Sequence, residues 1–135
     1  MSAVYRHEAV VPFQHVDAAG IVFFARTFDY FHDAWVGLLE DAGQPLPEVL
    51  RSGAWIAPLV HAEADYKRPL RFGDRIRVLI TEVATEGSKA VVSYRIEVDG
   101  GTAAVGKTVH MWLSKDMARI PIPDGLVERF ARLSD

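Results

Sequence analysis

The order of hydrophobic periodicities along this chain predicts an α+β fold in which one long central α-helix is wrapped by a five-stranded antiparallel β-sheet. Three observations carry that expectation. Phe24, Phe28, Phe31, Trp35, Leu38, Leu39 and Ala42 recur at helical spacing, and Gly43 follows where a left-handed C-terminal cap suits a residue without a side chain. Beyond Trp55 the period changes to two, as in Ala62, Ala64 and Tyr66 against His61, Glu63 and Asp65. Asp99-Gly100 then separates two such runs, the signature of a two-residue hairpin whose central positions both need positive φ.

Taken in order, Val4 to Phe13 reads as a first strand, and the long helix runs roughly from Phe24 to Ala42. Gln44-Pro45-Leu46-Pro47 breaks it, and a short, weakly helical piece around Glu48 to Ser52 leads into a strand from Trp55 through Tyr66. Gly73-Asp74 marks a turn. Arg75 to Val83 alternates Ile76, Val78 and Ile80 with Arg75, Arg77, Leu79 and Thr81, and Glu86-Gly87-Ser88 turns the chain into Ala90 to Val98. Thr102 to Leu113 supplies the returning strand, and a short helix from about Leu126 to Leu133 closes the chain. There is no internal repeat, low-complexity run or linker, so residues 1–135 read as a single domain. Ala54 to Val60 and Val109 to Leu113 are apolar on both faces, which predicts burial between subunits and an oligomer.

Composition narrows the function. With 135 residues, 50% hydrophobic and 24% charged, the chain suits a globular core. It carries neither a basic, apolar leader nor a run of about 18 apolar residues, so a cytoplasmic protein that does not enter membranes is expected. Zero cysteines exclude disulfides, thiolate metal sites and a cysteine nucleophile. The net charge of −3 and scattered basic residues give no field for nucleic acid. His61, His110 and Glu63 lack the spacing of a metal set, so no metal is expected.

The chemistry concentrates at Asp17-Ala18-Ala19-Gly20-Ile21-Val22, which sets a carboxylate before a turn that runs into the long helix. The open N–H groups and positive dipole end of that helix favour developing negative charge, so a carbonyl there is polarised within reach of Asp17. An ordinary turn or capping aspartate is the competing reading. His15, two positions earlier, either orients the carboxylate, contacts substrate, or is a polar residue at a strand end.

Phe13-Gln14-His15-Val16-Asp17-Ala18-Ala19-Gly20-Ile21-Val22-Phe23-Phe24-Ala25 resembles the signature of the 4-hydroxybenzoyl-CoA thioesterase family of hotdog-fold enzymes. Ala62 through Asp74 is similar to that family's second strand and following turn, and Ile120-Pro121-Ile122-Pro123-Asp124 to its C-terminal tail. The resemblance implies an acyl-CoA thioesterase acting on an aromatic or medium-sized acyl group, with CoA as part of the substrate and no cofactor. It implies that Asp17 is the catalytic nucleophile or general base, that the backbone N–H of Phe24 binds the thioester oxygen, and that Gly20 lets backbone approach the substrate. Some relatives favouring short aliphatic thioesters carry histidine in place of Phe24, so the resemblance leans toward aryl substrates. Ala57, Pro58 and Leu59 match a substrate-facing segment. Arg68, Arg71 and Lys89 are the candidates for the CoA phosphates. His32-Asp33 matches a position expected to make structural hydrogen bonds. A dimer or tetramer, with one subunit's helix start facing the neighbour's strands, is implied as well. Asp-Ala-Ala-Gly and His32-Asp33 look closer to the 1,4-dihydroxy-2-naphthoyl-CoA hydrolase branch, which stands as an alternative, as does a non-catalytic acyl-CoA-binding module.

Overall fold

The computed structural model describes residues 3–133. In chain order it forms β1 (Tyr5–Val10), α1 (Arg26–Asp41), α2 (Leu46–Ser52), β2 (Leu59–Tyr66), β3 (Arg75–Glu86), β4 (Lys89–Val98), β5 (Gly101–Met111) and α3 (Asp124–Leu133). The five strands make one antiparallel sheet in the order β1-β3-β4-β5-β2, so β1 and β2 are its edges. α1 supplies the apolar stripe that the sheet curls around. Phe31 stacks on Tyr94 of β4 with ring centroids 4.4 Å apart, and Trp35 meets Trp112 and Phe130 at 6.1 and 5.7 Å.

Local chemistry explains where the elements depart from expectation. β1 stops at Val10 because Pro12 has no N–H for a ladder, and Phe13–His15 form one turn of 3-10 helix instead of extending the strand. α1 begins at Arg26, two residues later than the apolar pattern suggests. Phe24 is therefore not part of the buried stripe and is 61% exposed, whereas Thr27, Tyr30 and Ala34 are buried. α2 starts at Leu46, earlier than expected, since a proline in the first turn loses no helical hydrogen bond. β2 begins only at Leu59, with Ile56 reduced to an isolated bridge to Leu113. The β4–β5 hairpin has Asp99 at φ 49° and Gly100 at φ 77°, both positive as its sequence demands.

Of the stretch Val109 to Leu113, one face is buried within the chain: His110 and Trp112 are enclosed, with Trp55 at 5.2 Å from Trp112 and Trp35 against it, while Val109, Met111 and Leu113 are half-buried. α3 adds Leu126 and Phe130 to the same core. No helix among the described residues is long and apolar enough to cross a membrane.

The tightest point of the wrap is Gly106 on β5, where a Cβ would collide with the Glu63 carbonyl and the Phe31 ring. Both neighbours are fixed, one as backbone and one as a fully buried ring. Gly106→Ala is expected to destabilise the fold by about 1–3 kcal/mol through overpacking. An unchanged thermal midpoint would show that α1 sits farther from β5 than described.

Candidate active site

Asp17 opens a tight turn whose geometry is set by backbone pairing. Val16 and Val22 form an antiparallel bridge, Asp17 N–H donates to the Ile21 carbonyl at 2.9 Å, and Gly20 N–H donates to the Asp17 carbonyl at 2.9 Å. Gly20 sits at φ 82°, in the left-handed region that a side chain would strain. It shapes the turn, with open space where a side chain would stand, and is not among the residues that line the cavity described below. The Asp17 side chain is exposed, and its Oδ1 accepts the Ala19 N–H at 2.8 Å. That bond orients the carboxylate, and Oδ2 accepts no hydrogen bond from the described residues. Asp17 is not a helix cap, because α1 is preceded by Ala25 and has no side-chain cap.

The turn and the mouth of α1 nevertheless share one cavity of about 560 Å³. Asp17, Ile21, Val22, Phe23, Phe24 and Thr27 form one side, Tyr66 through Leu70 a second, and Ala103 and Ala104 of β5 the floor. Tyr66 Oη donates to the Phe24 carbonyl at 2.8 Å and pins the first turn of α1 to the end of β2. The Phe24 and Ala25 N–H groups donate to no acceptor among the described residues, as expected where a 16-residue helix begins without a cap. Unclaimed donors at the positive end of the helix dipole favour an oxyanion over a neutral carbonyl. Lys67 and Arg68 bring positive charge to the same cavity. A Cβ on Gly101 would occupy the space of the Arg68 guanidinium, so that glycine leaves the arginine its place.

Other residues singled out in the sequence lie elsewhere in the protomer. His15 does not orient Asp17: its Nδ1 lies 2.9 Å from Tyr30 Oη, and it lines a separate cleft with Phe28, His32, Asp33 and Leu59. His32 and Asp33 are exposed on that cleft, and their side chains make no hydrogen bond among the described residues, contrary to the structural role expected of them. Ala57 and Pro58 line a third, apolar cavity of about 230 Å³ with Trp35 and Trp55. Arg71 is exposed outside the cavity, with its N–H given to Asp74 Oδ2 at 2.8 Å. Lys89 is farther still. Ile96 pairs with Ala104 on the cavity floor, and Lys89 lies seven residues back along β4, about 23 Å away at the rise of a strand. Thr27, Tyr66 and Lys67, which the sequence did not single out, do line the cavity. Lys67 had a signal in its adjacency to Arg68, whereas the Tyr66 contact spans 42 residues and leaves no local trace. Among the described residues no group of three or more His, Asp or Glu side chains is placed to hold a metal ion.

An oriented carboxylate and unclaimed helix-mouth donors beside one apolar cavity are the parts that hydrolysis at a carbonyl carbon requires. Residues 11–130 match the model of the thioesterase-like superfamily, and the chain belongs to that superfamily as a thioester hydrolase of hotdog fold. It is 33% identical over 126 residues to the 1,4-dihydroxy-2-naphthoyl-CoA hydrolase of Synechococcus elongatus, covering 92% of this chain and 93% of that one. The crystal structure of a 1,4-dihydroxy-2-naphthoyl-CoA thioesterase from Synechocystis shares the fold with a TM-score of 0.89 at 24% identity, covering 97% of this chain and 98% of that one. A Thermus thermophilus thioesterase solved with coenzyme A and zinc is 26% identical, with a TM-score of 0.83 over 98% of this chain and 95% of that one.

Proposed function

We propose that this protein hydrolyses an aromatic acyl-CoA thioester of the 1,4-dihydroxy-2-naphthoyl class, with Asp17 as the reacting carboxylate. The observation that carries this reading is the sharing of one apolar cavity by Asp17 and Phe24, whose N–H at the mouth of α1 is unclaimed. Oδ2 attacks the thioester carbon, or takes a proton from the water that does, while the helix-mouth N–H groups hold the carbonyl oxygen. In the first case CoA leaves as thiolate and takes up a proton. Water then cleaves the mixed anhydride to the free acid and restores the carboxylate. In the second, hydroxide adds directly and the Asp17 proton passes to the departing sulfur. Lys67 and Arg68 are the basic side chains at hand for the CoA phosphates. The names of the relatives support the aromatic class, and the lining by Phe23, Phe24, Val22 and Leu70 suits it.

A second copy of the chain completes the site in this reading. β2 is an uncovered sheet edge carrying Leu59 at 50%, Val60 at 55% and Tyr66 at 50% exposure, an arrangement that stable monomers avoid. A two-fold axis perpendicular to the sheet at mid-strand runs β2 antiparallel to its copy and continues the sheet across the interface. That pairing sets the Leu59 end of one β2 beside the Tyr66 end of the other. Tyr66 is bonded to Phe24, so Ala57, Pro58 and Leu59 of the partner subunit come to the mouth of the Asp17 cavity. The separation of these segments within one protomer is thereby accounted for.

Steady-state release of thiol from naphthoyl-, benzoyl-, hydroxyphenylacetyl- and straight-chain CoA thioesters tests the substrate class. Aromatic thioesters are expected to have the highest kcat/KM, by about tenfold or more over straight chains of similar size. A reversed order overturns the aromatic assignment, and tight binding without turnover of any thioester establishes an acyl-CoA-binding module instead.

A further inference from the structure

We propose that His110 is a positioning residue for the acyl group: its Nδ1–H fixes the Ala57 carbonyl, and with it the Ala57-Pro58-Leu59 strap that faces the neighbouring subunit's Asp17 cavity. The inference rests on the two-subunit reading above. Its basis is a line of polar groups inside an otherwise apolar core. Tyr94 Oη lies 2.7 Å from Thr108 Oγ1, Thr108 Oγ1 lies 3.0 Å from His110 Nε2, and His110 Nδ1 lies 3.3 Å from the Ala57 carbonyl oxygen. All three side chains are buried.

Elementary donor counting gives the line a direction. A carbonyl only accepts, so Nδ1 carries the imidazole proton. A neutral ring has no second proton, so Nε2 accepts from the Thr108 hydroxyl, whose oxygen in turn accepts from Tyr94. Burial holds the imidazole neutral, with its pKa pushed down to about 4, and His32 of α1 adds to that effect. The ring is clamped as well as bonded, stacked on Trp35 with centroids 4.7 Å apart and planes 18° from parallel.

The strap itself has few other ties. Ile56 pairs with Leu113 and the Pro58 carbonyl accepts the Met111 N–H, both through backbone, which leaves the Ala57 carbonyl between them to the histidine. Ala57 and Pro58 also wall the small apolar cavity beside Trp35 and Trp55. A bulky ring that reaches this wall feels its position, and a short acyl chain does not.

Three variants and one spectrum test the proposal. The amide nitrogen of His110→Asn sits near the place of Nδ1 and retains the donor, that of His110→Gln sits near Nε2, and His110→Leu keeps bulk without either. Nitrogen-15 imidazole spectra of the wild type are expected to show a neutral Nδ1–H tautomer from about pH 6 to 8, given the lowered pKa. For a naphthoyl-CoA thioester, His110→Leu and His110→Gln should lose about tenfold or more in kcat with little change in KM, and His110→Asn should recover most of it. Turnover of butyryl-CoA should change by less than about threefold in all three variants, since that chain ends short of the wall. An Nε2–H tautomer overturns the inference, as does an equal loss on both thioesters that follows thermal stability alone. A wild type that turns over butyryl-CoA but no aromatic thioester instead removes the substrate reading beneath it, and the spectrum still decides the direction of the bond.

Discussion

Asp17→Asn is expected to lower kcat on the best CoA thioester by about a hundredfold or more, the scale of losing a positioned acid–base or nucleophilic group. The substitution is close to isosteric, and the structure shows why folding should survive it. The bond that holds the turn runs from Ala19 N–H to Oδ1, and an asparagine carbonyl accepts it equally well. The group that changes is Oδ2, the oxygen without a partner, which becomes an amide nitrogen with neither basicity nor nucleophilicity. Substrate affinity depends on the cavity walls and the basic residues beside them, so KM should move little and the loss should fall on the chemical step. The unfolding free energy should change by no more than a surface substitution does, under about 0.5 kcal/mol. Hydrolysis within a few-fold of the parent rate would reduce Asp17 to a turn former and move the reaction centre elsewhere.

The sequence was informative wherever the physics is local. The α1 stripe, the Gly43 cap, the Asp99-Gly100 hairpin and the strand alternation each depend on a few neighbouring residues, and each is found in the expected place, with strand ends shifted by up to four residues. The turn before the helix was legible for the same reason, since a glycine at positive φ and an aspartate two residues before the N–H it accepts form a local unit. Long-range proximity was not legible. Lys89 and Arg68 look alike as basic residues near turns, yet the length of β4 carries them to opposite ends of the sheet. His15 could be placed near Asp17 by number, but the 3-10 turn after Pro12 rotates it toward Tyr30. Phe24 shows a deeper ambiguity. An apolar residue at helical spacing is buried either by its own chain or by another, and periodicity is blind to which. Here its 61% exposure places it on the second side of that choice in the dimer we propose.

That dimer has its own decisive variant. Lys67 N–H donates to the Ala103 carbonyl at 2.8 Å, and Asp65 is paired with Val105. With the strand period of two, the odd-numbered residues of this stretch turn their backbone groups toward β5, and Ala62, Ala64 and Tyr66 turn theirs to the open edge. Proline at Ala64 therefore removes no bond of the protomer's own sheet and is tolerated as an edge-strand proline. Across the two-fold it removes an N–H twice and sets a ring against the incoming strand each time. Two lost hydrogen bonds at about 1 kcal/mol each correspond to a dissociation constant raised by roughly thirtyfold, before the steric term is counted. Ala64→Pro is thus expected to sediment as a folded monomer at concentrations where the parent is a dimer or larger. Its specific activity should be low when dilute and rise as the protein is concentrated, because each Asp17 cavity then regains the partner's strap. A monomeric Ala64→Pro protein with full activity independent of concentration would show that one chain carries the whole site, and with that result the edge-to-edge construction of the active site fails.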